Sequence, residues 1–165
     1  MAIIKHVENT DHSILEEIYK DIEKSAKTVP EWAKVMAHRP EILGNFWNLL
    51  KSIMYEGELD TVLKWKIAYT VSQILKCQFC IDITRKMLTK FGLEADINFK
   101  EASDEEKEIL EIAKEITING YLTGVEKVYE LTERMGESKV VEIASVIGLF
   151  NYINRFNNLL AILPE

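Results

Sequence analysis

From Asp60 to Phe91 the chain carries neither glycine nor proline, and Leu63, Ile67, Val71, Ile74 and Leu75 recur there every three or four residues. That interval gathers apolar side chains on one face of an α-helix. The shortage of chain breakers is general: seven glycines and three prolines in 165 residues are about half the usual share of ~12%. A sandwich or barrel of many strands needs a turn signal every ~8–12 residues. No segment alternates with period two over strand length. The predicted fold is all-α, with roughly seven helices joined by short loops.

Helix ends can be read from the same sequence. Ser13, Thr28, Ser103 and Thr123 are each followed three residues later by glutamate. In this capping-box arrangement, hydroxyl and carboxylate satisfy each other's orphan amides. Pro30 and Pro40 suit a first helical turn, while Gly92 and Gly136 fall where helices close. Gly44 stands alone inside a helical pattern. The charged run from Asp104 to Glu108 reads as a solvated helix start, where acidic groups complement the helix dipole, and not as a metal site.

The segment from Val140 to Leu163 is apolar around most of its circumference, with Ile143, Val146, Ile147, Phe150, Ile153 and Phe156 among its members. A helix apolar on all sides is buried on all sides. In so small a chain that predicts a second subunit against one face, a symmetric homo-oligomer being the default. Asn151, Asn154, Arg155, Asn157 and Asn158 interrupt the segment and are read as hydrogen bonds between helices that fix register, not as substrate contacts.

The chain has 20 basic and 27 acidic residues, a net charge of −7. It lacks the basic footprint that phosphate binding needs, which argues against nucleic acid as a partner. No run of about 18 uncharged apolar residues could span a membrane, and the segment from Met1 to His6 has no signal-like apolar core. The expectation is a soluble cytoplasmic protein whose thiols stay reduced. Residues 1–165 form a single all-helical domain in this reading, with an N-terminal helical segment at 1–34 and the core at 35–165.

Both cysteines fall in one motif, Cys77-Gln78-Phe79-Cys80. On a helix, side chains three apart share a face and come close enough for a disulfide. Such a pair is a redox dithiol, half of a zinc site, or two small buried apolar residues. Zinc needs two further ligands, and the three histidines, His6, His12 and His38, lie far upstream without paired spacing; no metal or cofactor is expected. Lys76 precedes the pair, and a nearby cation favours thiolate over thiol. The pattern over 60–91 is long for one globular helix. A break near Lys76 and Cys77 would place the dithiol at a helix N-terminus, where the dipole also stabilises a thiolate.

The stretch from Leu63 to Ser72 followed by Cys77-x-x-Cys80 resembles the carboxymuconolactone decarboxylase family, and within it the alkylhydroperoxidase D-like branch. Met36 to Leu43 and Val146 to Arg155, with its Asn-x-x-Asn-Arg end, extend the resemblance from about Val35 to the C-terminus. It implies an all-α fold assembled as dimers, trimers or hexamers. It also implies a mechanism in which Cys80 attacks a peroxide and Cys77 resolves the sulfenic acid to a disulfide. The family's peroxidase motif adds a glutamate twelve residues before the first cysteine and two histidines, which relay protons. Here Trp65, Phe79 and Thr84 hold those positions, so all three proton carriers are missing. A positioned acid–base contributes ~10²–10⁴-fold, so a replacement matters. Trp65, Tyr69 and Ser72 share a helix face, which makes Tyr69 a candidate proton donor and Ser72 a second. Asp82 and His38 are further options, although core packing for the aromatics, a helix first turn for Asp82 and a helix cap for His38 are the plainer readings.

Three functions follow from this. The main one is a thiol–disulfide oxidoreductase or weak alkyl hydroperoxidase, supplied with hydroperoxide and reduced by a dithiol donor. The second is a non-enzymatic oligomeric scaffold or redox sensor that keeps the dithiol without turnover. The third is a cofactor-free decarboxylase of a carboxylated lactone, for which only Lys64, Lys66, Lys76, Arg85 and Lys86 offer nearby positive charge.

Overall fold

The computed structural model describes every residue except 1, 2, 9–12, 94–98, 100, 123 and 165. Among the described residues the chain forms eight helices and no strand: α1 (Ser13–Ala26), α2 (Glu31–Met36), α3 (Pro40–Met54), α4 (Thr61–Leu75), α5 (Gln78–Lys90), α6 (Asp104–Asn119), α7 (Val125–Met135) and α8 (Glu137–Leu159). The all-α expectation holds. The count rises because the 60–91 pattern divides into α4 and α5.

Helix α4 is the axis of the molecule. Its residues from Leu63 to Ser72 are all buried, because α5, α6 and α8 pack around it. Two of those residues are lysines. Lys64 Nζ meets the Glu142 carboxylate at 2.7 Å and Lys66 Nζ meets Glu106 at 2.7 Å, and such pairing is what makes a buried charge tolerable. Glu142 also accepts the backbone N–H groups of Glu58 and Leu59, at 2.7 and 3.1 Å, and so ties the turn before α4 to α8. Gly57 lies in that turn at φ +97, and a Cβ there would collide with the Glu142 carboxylate.

Within one chain the last helix is buried on one side only. Helix α8 buries Ile143, Val146, Ile147, Leu149, Phe150 and Ile153, yet Val141 (64%), Tyr152 (46%) and Leu159 (75%) stay exposed. The enclosed helix is α4, whose lysines disguise it as amphipathic.

Caps follow the sequence in part. Ser103 and Glu106 form a complete capping box, and Pro40 opens α3 at its first turn. Asp60 caps α4 by accepting the Leu63 N–H at 3.0 Å. The Thr28 box does not form, because Pro30 itself is the N-cap of α2 and no side chain caps that helix. The Ser13 side chain and Thr123 lie outside the described residues.

Candidate dithiol site

The break between α4 and α5 creates the site. Lys76 adopts a left-handed conformation (φ 55, ψ 32), its N–H donating to Gln73 O at 3.2 Å and the Cys77 N–H to Ser72 O at 3.3 Å. This pair of bonds closes a helix around a left-handed residue, most often glycine. Cys77 then serves as the N-cap of α5: its Sγ accepts the Cys80 N–H at 3.3 Å, and its carbonyl accepts the Ile81 N–H at 2.8 Å. A sulfur thus stands where serine, threonine or aspartate oxygen usually caps a helix, at the positive end of the dipole.

The two sulfurs are free thiols, both buried. Hydrogen bonding from the Cys80 thiol is the main influence holding Cys77 below its ordinary value of 9.0; burial opposes it, and the Cys80 and Phe79 amides and the Asn157 carboxamide assist. The same thiol–thiol bond, together with burial and the neighbouring charge, pushes Cys80 far upward. Both directions favour the thiolate on Cys77, the sulfur at the α5 N-cap. Lys76 is exposed, and it is hydrogen bonds rather than its charge that favour the thiolate.

Helix α8 supplies what sequence reasoning missed. Asn157, 1% exposed, donates from Nδ2 to Cys80 Sγ at 3.3 Å, while its Oδ1 has no hydrogen-bond partner among the described residues. Asn158 donates to the carbonyl of Leu75, the last residue of α4, at 2.8 Å. Only the cluster of asparagines hinted at this: the interhelical hydrogen-bond reading holds for Asn151, which donates to Thr117 Oγ1 at 3.0 Å, for Asn158 and for Asn157, whose partner is a cysteine sulfur, whereas Asn154 and Arg155 bond within α8.

The other candidates lie apart from this chemistry. The Tyr69 hydroxyl accepts a hydrogen bond from Gln73 Nε2 at 2.6 Å, and its ring meets Phe99 edge-on; among the described residues no hydrogen bond joins it to either sulfur. Ser72 Oγ donates to Ala68 O at 2.8 Å. Trp65 packs edge-on against Phe150, and its Nε1 has no hydrogen-bond partner among the described residues. Phe79 is buried, and Thr84 donates to Cys80 O at 2.7 Å within its own helix. Asp82, beyond the first turn of α5, pairs with Lys86 at 2.7 Å. His38 Nε2 meets Lys5 O at 2.8 Å, so it ties down the N-terminal segment and does not cap α3. Among the described residues no group of three or more His, Cys, Asp or Glu converges as a metal set. Cavities of about 410 Å³ between α6, α7 and α8 and about 590 Å³ between α3 and α8 are both lined without either cysteine.

Within the chain, residues 40–134 match the model of the carboxymuconolactone decarboxylase family, a span that includes α3 to α6, all of α7 but its last residue, and the dithiol. The chain belongs to this family. No curated protein sequence matches it significantly. Among solved structures, this family member resembles the debrominase Bmp8, seen as a cysteine-to-alanine variant in complex with 2,3,4-tribromopyrrole (23% identity, 96% of this chain and 89% of that one, TM-score 0.80). An uncharacterized peroxidase-related protein from Silicibacter is also similar (20% identity, 98% and 94% covered, TM-score 0.78). So is an alkylhydroperoxidase AhpD core protein from Ralstonia eutropha (17% identity, 92% and 85% covered, TM-score 0.78). These likenesses establish the alkylhydroperoxidase D-like fold. Among the described residues no helix is long and apolar enough to cross a membrane.

Proposed function

We propose that this family member is a thiol–disulfide oxidoreductase that reduces a small organic hydroperoxide through a reversible Cys77–Cys80 disulfide. The observation that carries the reading is the Cys77 sulfur at the N-cap of α5, hydrogen-bonded by the Cys80 amide at 3.3 Å and held toward thiolate. Inert packing would give burial alone, without this hydrogen bonding around the sulfurs.

The roles run opposite to those implied by the family resemblance. The Cys77 thiolate attacks one peroxide oxygen, the O–O bond breaks, and Cys77 becomes a sulfenic acid. The departing alkoxide takes a proton and leaves as alcohol. The Cys80 thiol, already hydrogen-bonded to the attacking sulfur, supplies that proton, a task the absent carboxylate and histidines cannot perform. The Cys80 thiolate then attacks Cys77, the S–S bond forms, and hydroxide leaves to be protonated to water. An external dithiol returns two electrons and two protons and is itself oxidised to a disulfide. Burial of both sulfurs favours a small oxidant.

A second substrate class is supported by the fold shared with a debrominase crystallised with a brominated pyrrole. A carbon–bromine bond and two thiols exchange to give a carbon–hydrogen bond, a disulfide and hydrogen bromide, so the same dithiol supplies the electrons. The decarboxylase reading has less support, since Lys64, Lys66 and Lys86 are already paired with Glu142, Glu106 and Asp82.

Rapid mixing with tert-butyl hydroperoxide under excess dithiothreitol tests the main reading by its alcohol product, and a bromopyrrole tests the second by bromide release. Cys77→Ser is expected to abolish the first oxidation. Cys80→Ser, reduced beforehand and freed of dithiothreitol, is expected to stop after one turnover at a dimedone-trappable sulfenic acid. Retained attack in Cys77→Ser with loss in Cys80→Ser restores the reverse order, and wild-type protein that yields neither alcohol nor bromide defeats both readings.

A further inference from the structure

A dithiol of this kind faces a difficulty at its second step. Once Cys77 is a sulfenic acid, Cys80 must react as a thiolate, yet Cys80 is buried, and burial penalises the charged sulfur. No lysine, arginine or histidine forms a hydrogen bond to its sulfur among the described residues. The group that does is Asn157, whose Nδ2 lies 3.3 Å from Cys80 Sγ across the α5–α8 packing. A carboxamide donor strengthens its bond as the sulfur gains charge, since hydrogen bonds to ionised partners are the stronger class. Asn157 is itself fully enclosed, and its neighbour Asn158 fastens the same turn of α8 to the end of α4, so the donor is held in place before the charge develops. Preorganisation of that sort is what makes a dipole effective in a site that excludes water.

We infer that Asn157 is the residue that drives resolution of the disulfide, by stabilising the thiolate that forms on Cys80 after its proton has gone to the alcohol product. The inference rests on the proposed oxidation chemistry. In bond terms, Asn157 Nδ2–H donates to Cys80 S⁻ while that sulfur attacks Cys77, and the donation weakens as the S–S bond forms and hydroxide departs from Cys77. The Oδ1 of Asn157, without a hydrogen-bond partner among the described residues, fits a group whose placement serves the sulfur at the expense of its own second hydrogen bond. Replacing it should therefore slow resolution far more than the preceding attack, to which Asn157 adds only a lesser support for the Cys77 thiolate.

The test separates those steps in Asn157→Leu, which fills similar space without a polar group, and in Asn157→Asp, which keeps the shape and removes the donor. Protein reduced beforehand is mixed with tert-butyl hydroperoxide. Dimedone labelling follows formation and decay of the Cys77 sulfenic acid, and intact mass follows disulfide and sulfinic acid. The expected result is a decay slowed roughly ten- to a hundredfold, the worth of a hydrogen bond to a charged group, with sulfenic acid formation slowed much less. Sulfinic acid should accumulate at the expense of disulfide, and the pH midpoint of the decay should move upward. Asn157→Gln, which retains a donor, should recover part of the rate. Wild-type decay rate and midpoint in both the Leu and Asp variants overturn the inference, as does a first step slowed as much as the second or more. Wild-type protein that never forms the sulfenic acid or the disulfide overturns the oxidation chemistry itself, a result that differs from failure of the Asn157 step alone.

Discussion

Asn158 on α8 donates a 2.8 Å hydrogen bond to the carbonyl of Leu75, the residue at which α4 stops. The end of α4 has lost its helical acceptors at this point, and a side chain 83 positions away satisfies one of the orphan carbonyls. The helix break that exposes Cys77 Sγ to the first-turn amides of α5 is therefore held from α8 as well as by its own backbone. Asn158→Ala is expected to cost about 1 kcal/mol and to speed hydrogen exchange of the Lys76 and Cys77 amides. Unchanged protection there would mean that the break holds itself.

Lys76 sits at φ 55, a region that costs a non-glycine residue about 1–2 kcal/mol. Lys76→Gly should raise the thermal midpoint by about 2–4 °C while leaving the Cys77 titration where it is, because hydrogen bonds set that titration. A Cys77 midpoint that climbs in the glycine variant would assign the effect to the lysine charge.

The order of the two thiols can be measured directly. Iodoacetamide labelling across pH, read by peptide mass, is expected to modify Cys77 with a midpoint below its ordinary 9.0 while Cys80 stays unmodified over the same range. Cys80→Ala removes the thiol donor and should move the Cys77 midpoint up. Earlier labelling of Cys80 would reverse the assigned roles.

The fold and the site were legible in the sequence to different degrees. The 3.6-residue period announced an all-α chain, and the Ser103–Glu106 box announced the start of α6. The length of 60–91 suggested a break, but the residue that makes it is a lysine where glycine would have marked the spot. The burial of α4 was hidden for a physical reason: Lys64 and Lys66 look like solvent-facing positions until Glu142 and Glu106 are brought against them. The partner of Lys66 lies 40 residues along the chain. The cysteine spacing pointed at the chemistry, whereas Asn157, 77 residues from Cys80, became visible only through packing. Tyr69, chosen for its helix face, proved to be engaged with Gln73 and Phe99.

Acid should weaken the molecule through Glu142. Burial pushes its carboxyl up, but Lys64 and the Glu58 and Leu59 amides together hold it below 4.5. A carboxylate held low in the folded state stabilises the fold above its unfolded value and ceases to do so as pH falls through the folded one. Stability should therefore fall as the solution is acidified below 4.5. Glu142→Gln should cost about 3–5 kcal/mol at neutral pH, since it strands the buried Lys64, and should flatten that acid slope. Gly57→Ala should destabilise the same junction. Denaturant titrations across pH test both variants, and a wild-type acid slope in Glu142→Gln would place the sensitivity elsewhere.

The central claim is that Cys77 and Cys80 work as one reversible two-electron unit. Fully reduced protein treated with a stoichiometric amount of small organic hydroperoxide and examined by intact mass and peptide mapping tests it most directly. The account predicts loss of two hydrogens, disappearance of both thiols, a Cys77–Cys80 cross-linked peptide and full reversal by dithiothreitol. Persistence of both thiols, or slow addition of oxygen to a single sulfur as sulfinic acid, would contradict it.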